Sequence, residues 1–279
     1  MTAEAGRGPG AGPAGAGAAA PDPLEGRLLY GGDPAAYAAG RPDYPDRVYE
    51  LLVACGLGPG CRVVEIGPGT GLVTGHLLGA GAQVTAVEAN PEMAAYLQQA
   101  CAGPRLEVVV APFEEAALPE AGFDLAVAAT SFHWVSRPRG WDELRRVLRP
   151  RGWVAIWWML FEDPTAPDEF SAASHRVLGG SPSVALESDR RPFQIDVPAR
   201  RADLEAAGFV EVHGELIRST ACLDAARLRA LYATMAIVLR RPGDEQAQVL
   251  GELERLVEER FDGWVERPFL TGAYLGRKP

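Results

Sequence analysis

Apolar and polar positions along this chain alternate between two periods. Short β-branched runs read as strands over 62–66, 83–88, 106–111, 123–129 and 152–159. Helical spacing lies between them, over 70–78, 91–101 and 141–148, and a further helix over 46–55 precedes the first strand. In that first helix Val48, Leu51, Leu52 and Cys55 share one face, and Pro45 sits in the first turn. Gly56 and the Gly58-Pro59-Gly60 turn end it. The helix over 91–101 has Asn90 as N-cap, Pro91 at its first position, and Met93, Leu97 and Cys101 stacked on one side. Strands alternating with helices at this spacing imply a parallel sheet covered on both faces.

Beyond Met159 the pattern weakens. Pro, Asp and Ser are scattered through 161–199. A helix over 202–207 and a strand over 210–217 follow, then two amphipathic helices. One helix carries Leu228, Leu231, Met235 and Val238, the other Leu250, Leu253, Leu256 and Val257, with Arg241-Pro242-Gly243-Asp244 as a breaker between them. A last strand is expected over 269–275. Residues 1–22 are almost all Ala, Gly and Pro, which cannot bury enough apolar surface to offset ordering entropy, so a disordered tail is expected there.

Composition narrows the choice of partner. Of 279 residues, 47% are hydrophobic, and 27 basic side chains face 37 acidic ones, for a net charge of −10. That balance argues against a general nucleic-acid binder, which needs a positive field. No apolar run approaches the ~18 residues of a membrane span. The N-terminal segment lacks the basic start and apolar stretch of a secretory signal. Cys55, Cys61, Cys101 and Cys222 form no C-x-x-C pair. The expectation is a cytoplasmic protein with reduced thiols, no metal, no nucleic-acid partner and no membrane association.

The chemistry is concentrated in Val63-Val64-Glu65-Ile66-Gly67-Pro68-Gly69-Thr70-Gly71. A strand ending in an acid turns through three glycines into a helix. Glycines permit a sharp turn and let a ligand lie against bare backbone, beside the free N–H groups of the helix start. The dinucleotide fingerprint needs a third glycine where Leu72 stands. An acid ahead of the first glycine suits an ammonium group better than a pyrophosphate. Glu88 ends the next strand, 21 residues after Gly67, about where an acid hydrogen-bonds a ribose diol.

Glu65, the Gly67–Gly71 loop and Glu88 resemble the class I S-adenosylmethionine-dependent methyltransferases. Tyr37-Ala38-Ala39-Gly40-Arg41-Pro42-Asp43-Tyr44-Pro45, Thr130-Ser131-Phe132-His133-Trp134-Val135 and Leu148-Arg149-Pro150-Arg151-Gly152-Trp153 also match that family, and the subgroup they resemble includes aconitate and other carboxyl methyltransferases. The resemblance implies an α/β, Rossmann-like, doubly wound sheet of seven strands, the seventh antiparallel, with helical cap insertions. It would form a single domain over 23–279, with its cofactor half over 37–160, cap segments over 161–199 and 223–263, and final strands over 209–217 and 268–276.

The resemblance also assigns roles. Gly67, Gly69 and Gly71 would form the loop for S-adenosylmethionine. Glu65 would hold the methionine amino group, directly or through water, and Glu88 the ribose hydroxyls. Ala89, Met93, Phe113 and Glu114 would meet the adenine, since Pro112 stands where many relatives have an aspartate. Ala129 and Thr130 would flank the methionine end, and Tyr37, Tyr44 and Trp134 would face the sulfonium by cation–π contact. His133 is the candidate base, Tyr44 a second catalytic candidate, and Arg41 and Trp134 candidate substrate contacts. The expected partner is a small molecule, with the acceptor atom (O, N or C) open, and the protein a monomer or homodimer. Competing readings are a nucleotide-cofactor dehydrogenase, a nucleic-acid methyltransferase, and a repurposed relative that binds the cofactor without methyl transfer. The second normally shows Asn/Asp-Pro-Pro-aromatic after strand four, where this chain has Ala129-Thr130-Ser131-Phe132.

Overall fold

The protein is described by a computed structural model covering residues 29–136, 138–166, 168–179 and 191–279. The expected tail lies outside the described residues. Two short helices, α1 (Pro34–Gly40) and α2 (Asp46–Ala54), lead into β1 (Arg62–Ile66). Then come α3 (Leu72–Gly79), β2 (Gln83–Glu88), α4 (Pro91–Ala100), β3 (Leu106–Val110), β4 (Phe123–Ala129), α5 (Arg139–Val147) and β5 (Leu148–Leu160). The second half holds α6 (Glu169–Val177), α7 (Val197–Ala206), β6 (Val210–Asp224), α8 (Ala225–Ala233), α9 (Ala236–Leu239), α10 (Gly243–Arg260) and β7 (Trp264–Arg277).

The seven strands form one sheet in the order β3-β2-β1-β4-β5-β7-β6. The first five are parallel to one another, and β7 runs antiparallel to both neighbours. This is the expected doubly wound sheet with its antiparallel seventh strand. Side chains alternate across it with period two. Val64, Ile66, Ala126, Ile156 and Tyr274 face one core with α5 and α7, and Val63, Leu125, Val127, Trp157 and Leu275 face the other with α2 and α3. A third core joins α8 and α10 to the outer ends of β6 and β7 through Leu228, Leu253, Val257, Val265 and Phe269.

The structure departs from the sequence reading mostly in the cap. β6 was expected over 210–217 but continues to Asp224, because Leu223 pairs with Val265 and both enter the third core. β7 is correspondingly longer, from Trp264 to Arg277, and tolerates Pro268 opposite Thr220. The helix bearing Leu228, Leu231, Met235 and Val238 is broken in two: α8 ends at Ala233 and Met235 caps α9. Helix α6 falls in the stretch read as irregular, where the Asp168 side chain accepts the Ser171 N–H and starts it. Helix α1 was not expected at all.

A buried cation locks the cap onto the sheet. Arg267 of β7 is 1% exposed. Its Nη1 donates to both Asp168 carboxylate oxygens, at 3.0 and 2.9 Å, and its Nη2 to the Phe161 carbonyl at 3.1 Å. Its guanidinium lies 4.8 Å from the Phe170 ring centroid. Removing one member of a buried pair leaves the other uncompensated. Arg267→Met is therefore expected to lower stability by about 3 kcal/mol in urea denaturation, and a change below about 0.5 kcal/mol would contradict the bracing role.

Candidate active site

At β1 and β4 the sheet order reverses, and an open α/β sheet binds ligands at the carboxyl ends of its strands at such a point. A cavity of about 480 Å³ lies there. Its floor is made by the ends of β1 to β5, and its roof by α1, Phe161, Gln194 and the α8–α9 junction at Met235.

The floor begins with the glycine loop. Gly67, Gly69 and Gly71 have φ of 63°, 58° and 93°, a backbone region that L side chains rarely adopt. A β-carbon at Gly67 would stand 2.6 Å from Ser131 Cβ, whereas nothing lies within 4 Å of one at Gly69. The loop is thus closely packed behind and bare in front. Glu88 secures it from the next strand: its Oε2 accepts the Gly69 N–H at 3.0 Å and its Oε1 the Asn90 N–H at 2.9 Å.

Glu65 stands behind this loop rather than in the cavity lining, and is 1% exposed. Its Oε2 accepts from Thr74 Oγ1 at 2.6 Å. Its Oε1 is buried with no hydrogen-bond partner among the described residues. Burial pushes its pKa up to about 7, Thr74 opposes the shift, and the nearby Glu88 charge adds to it.

At the end of β4, Thr130 adopts φ 54°, a strained conformation for a β-branched residue that costs roughly 1–3 kcal/mol. Its N–H donates to the Trp157 carbonyl at 2.7 Å, and its hydroxyl pairs with the Tyr44 hydroxyl at 3.0 Å. Burial raises the Tyr44 pKa above the ordinary phenol value. Tyr44 is therefore a neutral phenol packed edge-on against Trp157, with ring centroids 5.6 Å apart.

His133 follows on a short turn over Phe132–Trp134. Its Nδ1 accepts the Trp158 indole N–H at 3.0 Å. Indole nitrogen can only donate, so the neutral imidazole carries its own proton on Nε2. Burial lowers the His133 pKa to about 4. The neutral ring's single in-plane lone pair, on Nδ1, is thus in use, which leaves His133 only an N–H to offer at the cavity wall. The expected base role does not fit it.

Arg41 ends α1, where a β-carbon on Gly40 would collide with the Ala230 carbonyl of α8. Arg41 Nη2 donates to the Thr234 carbonyl at 2.7 Å. Its guanidinium lies between two rings, 4.8 Å from the Tyr37 centroid and 4.7 Å from that of Phe161. Its Nε is buried with no partner among the described residues.

Among the residues singled out by sequence, Tyr37, Arg41, Tyr44, Gly67, Gly69, Gly71, Glu88, Ala89, Met93, Phe113, Ala129, Thr130, His133 and Trp134 line the cavity together. Glu114 does not: its Oε1 accepts the Ser136 N–H at 3.3 Å, which ties down the turn after β4. Gly71 is required by packing as well, since a β-carbon there would stand 2.6 Å from Leu97 Cδ1. Sequence reasoning gave no site role to Trp158, Phe161, Gln194 or Met235, which carry no motif. The one available signal was the position of Phe161 just beyond a strand end.

Comparison with known proteins agrees with this geometry. Residues 64–156 match the family described as Methyltransferase domain. An uncharacterized methyltransferase of Mycobacterium tuberculosis is 34% identical over 131 residues, 47% of this chain and 52% of the relative. The chain thus matches about half the length of such mycobacterial relatives. An uncharacterized methyltransferase of Schizosaccharomyces pombe is 23% identical over 252 residues, 88% of this chain and 95% of the relative. A Haemonchus contortus phosphoethanolamine N-methyltransferase 2, solved with phosphomonomethylethanolamine and S-adenosylhomocysteine, shares the fold with a TM-score of 0.55 at 14% identity, over 92% of this chain and 59% of that one. Over residues 64–156 the chain is thus similar to a methyltransferase domain, on a fold shared with S-adenosylmethionine-dependent methyltransferases.

The residues present fit that family's cofactor. The bare front of the glycine loop leaves room for backbone-close contact, and the buried Glu65 Oε1 leaves one acceptor for a cation. Glu65 also makes a prediction of its own. Its folded carboxyl holds a proton to higher pH than an unfolded one, so stability is lost as pH rises from about 4.5 to about 7 and is then constant. Glu65→Gln should therefore leave ligand-free stability unchanged near pH 4 and raise it by on the order of 3 kcal/mol at pH 8. A gain independent of pH in urea titrations would contradict the buried-carboxyl account.

Proposed function

We propose that the protein transfers a methyl group from S-adenosylmethionine to a small-molecule acceptor by in-line displacement. The observation that carries this reading is one cavity that joins the Gly67–Gly71 loop and Glu88 at one end to Arg41 and an aromatic wall at the other. Glu88 takes the ribose hydroxyls, Ala89, Met93 and Phe113 hold the adenine, and Glu65 neutralises the methionine ammonium from behind the loop. Ala129 and Thr130 flank the methionine end. Tyr37, Tyr44 and Trp134 present ring faces to the sulfonium.

The cofactor supplies a methyl that is already activated, so the protein's task is alignment and exclusion of water. Well-oriented reactants reach effective molarities of ~10⁵–10⁸ M, enough for positioning to dominate. The roof of α1, Phe161 and Met235 provides the enclosure. The strained Thr130 and its hydroxyl pairing with Tyr44 fix the wall where donor and acceptor meet. His133 donates a hydrogen bond from Nε2 to the acceptor. The cavity is sized for small molecules, and no helix among the described residues is long and apolar enough to cross a membrane. A cytoplasmic monomer or homodimer is part of the same reading.

The direct test is incubation with methyl-labelled S-adenosylmethionine and the low-molecular-mass fraction of a cell extract, with products identified by mass. A labelled small molecule is expected; label found only in nucleic acid or protein would overturn the reading. Glu88→Ala should weaken S-adenosylhomocysteine binding in calorimetry by about 1–3 kcal/mol, and unchanged affinity would remove Glu88 from the site. His133→Gln should keep turnover within about tenfold. The ~10²–10⁴-fold loss typical of a missing general base would restore the base role to His133.

A further inference from the structure

His133 is backed by an aromatic stack built on the sheet. Trp158 of β5 is 3% exposed, and its register partner on β7 is Gly272. A β-carbon on Gly272 would stand 2.2 Å from the Gln194 carbonyl, so only glycine lets the turn Phe193–Ile195 settle there. The Tyr274 hydroxyl fixes that turn by donating to the same carbonyl at 2.7 Å. The Trp158 indole packs against two rings, 5.6 Å from the Phe193 centroid and 5.9 Å from that of Tyr274. Its N–H donates to His133 Nδ1 at 3.0 Å. Phe193 and Trp134 pack on the imidazole itself, with centroids 5.9 and 4.4 Å from it.

This packing decides what His133 can do. The other tautomer would set Nδ1–H against the indole N–H, two donors face to face, and leave a buried indole without an acceptor. Charging the ring creates the same clash, in a site where burial already holds the His133 pKa down to about 4. No charged side chain opposes that shift among the described residues. Among the described residues nothing accepts from Nε2, and that N–H is what His133 offers the cavity. An atom that meets it must bring a lone pair, and a proton leaving a substrate finds no place on this ring.

We propose that Trp158 is a positioning residue: its indole N–H fixes His133 as an Nε2–H donor, which dedicates that wall to a substrate atom carrying a lone pair and withholds a general base from the reaction. The tautomer follows from the fold alone, and only the meeting with substrate rests on the methyl-transfer reading. A histidine placed just beyond β4, where a base would be useful, is thereby kept from taking up a proton. Phe193 and Tyr274 serve the same end at one remove, by holding the indole in place.

The test uses the full chain with ¹⁵N-labelled histidine, ligand-free and with S-adenosylhomocysteine added. Long-range ¹H–¹⁵N spectra are recorded from about pH 5.5 to 8, across the ordinary imidazole range, and the signal lost in His133→Gln is that of His133. A single Nε2–H form that does not titrate is expected. Trp158→Phe should raise the share of the Nδ1–H form about tenfold, the factor for one lost hydrogen bond. Phe193→Leu disturbs the same stack but spares the indole N–H, and should leave the tautomer as it is. Affinity for S-adenosylhomocysteine is the check on folding in each variant. With methyl-labelled S-adenosylmethionine and the low-molecular-mass extract, the pH profiles of the unmodified protein and His133→Gln should have the same shape. An Nδ1–H or charged His133 in the unmodified protein, an unchanged tautomer in Trp158→Phe, an altered one in Phe193→Leu, or a pH limb that His133→Gln abolishes would each overturn the proposal. Failure of the unmodified protein to bind S-adenosylhomocysteine would instead overturn the methyl-transfer reading, with the spectra still deciding the tautomer.

Discussion

The Glu88 carboxylate is the contact on which the site depends. One oxygen takes the Gly69 N–H and the other the Asn90 N–H, so a single side chain ties the β1–α3 turn to the start of α4. Those two turns flank the point where the sheet order reverses. Without that tie, a loop of three left-handed glycines would have little to fix its shape, because glycine gives up more conformational freedom than any other residue. The carboxylate is thus a brace for the loop that also lines the cavity.

The cavity has an electrical axis. Acid lies at the glycine-loop end, in Glu88 and in Glu65 behind the loop, and the cation lies at the roof, in Arg41. The cap supplies that cation's setting: Arg267 holds the Phe161 carbonyl, Phe161 covers Arg41, and α8 receives Arg41 at Thr234. A change in the third core would therefore be felt at the Arg41 end of the cavity before the Glu88 end, which is built on the sheet.

How much of this was legible in the sequence follows from how local each signal is. Strands β1, β2 and β4 and the glycine loop were read with correct bounds, since β-branched runs and a G-x-G-x-G turn announce themselves within a few residues. The far ends of β6 and β7 were not, because Leu223 and Val265 have no partner until the third core assembles. Helix α1 has one proline, one aromatic and five small residues in seven positions, too weak a stripe to read, and forms where Gly40 meets Ala230. Glu114 looked like a ligand group by its place after β3, but the Ser136 N–H claims it. The role of His133 could not be read either, since Trp158 lies 25 residues away in sequence and its indole decides which nitrogen is free.

What occupies the β1–β4 crevice decides between a methyl-donor site and a dinucleotide site. Calorimetry of the full chain with S-adenosylhomocysteine and, separately, with NADH tests this most directly. Saturable binding of one S-adenosylhomocysteine per chain, with none of NADH, is the expected result. Binding of NADH alone would contradict it and make the glycine loop a dinucleotide site.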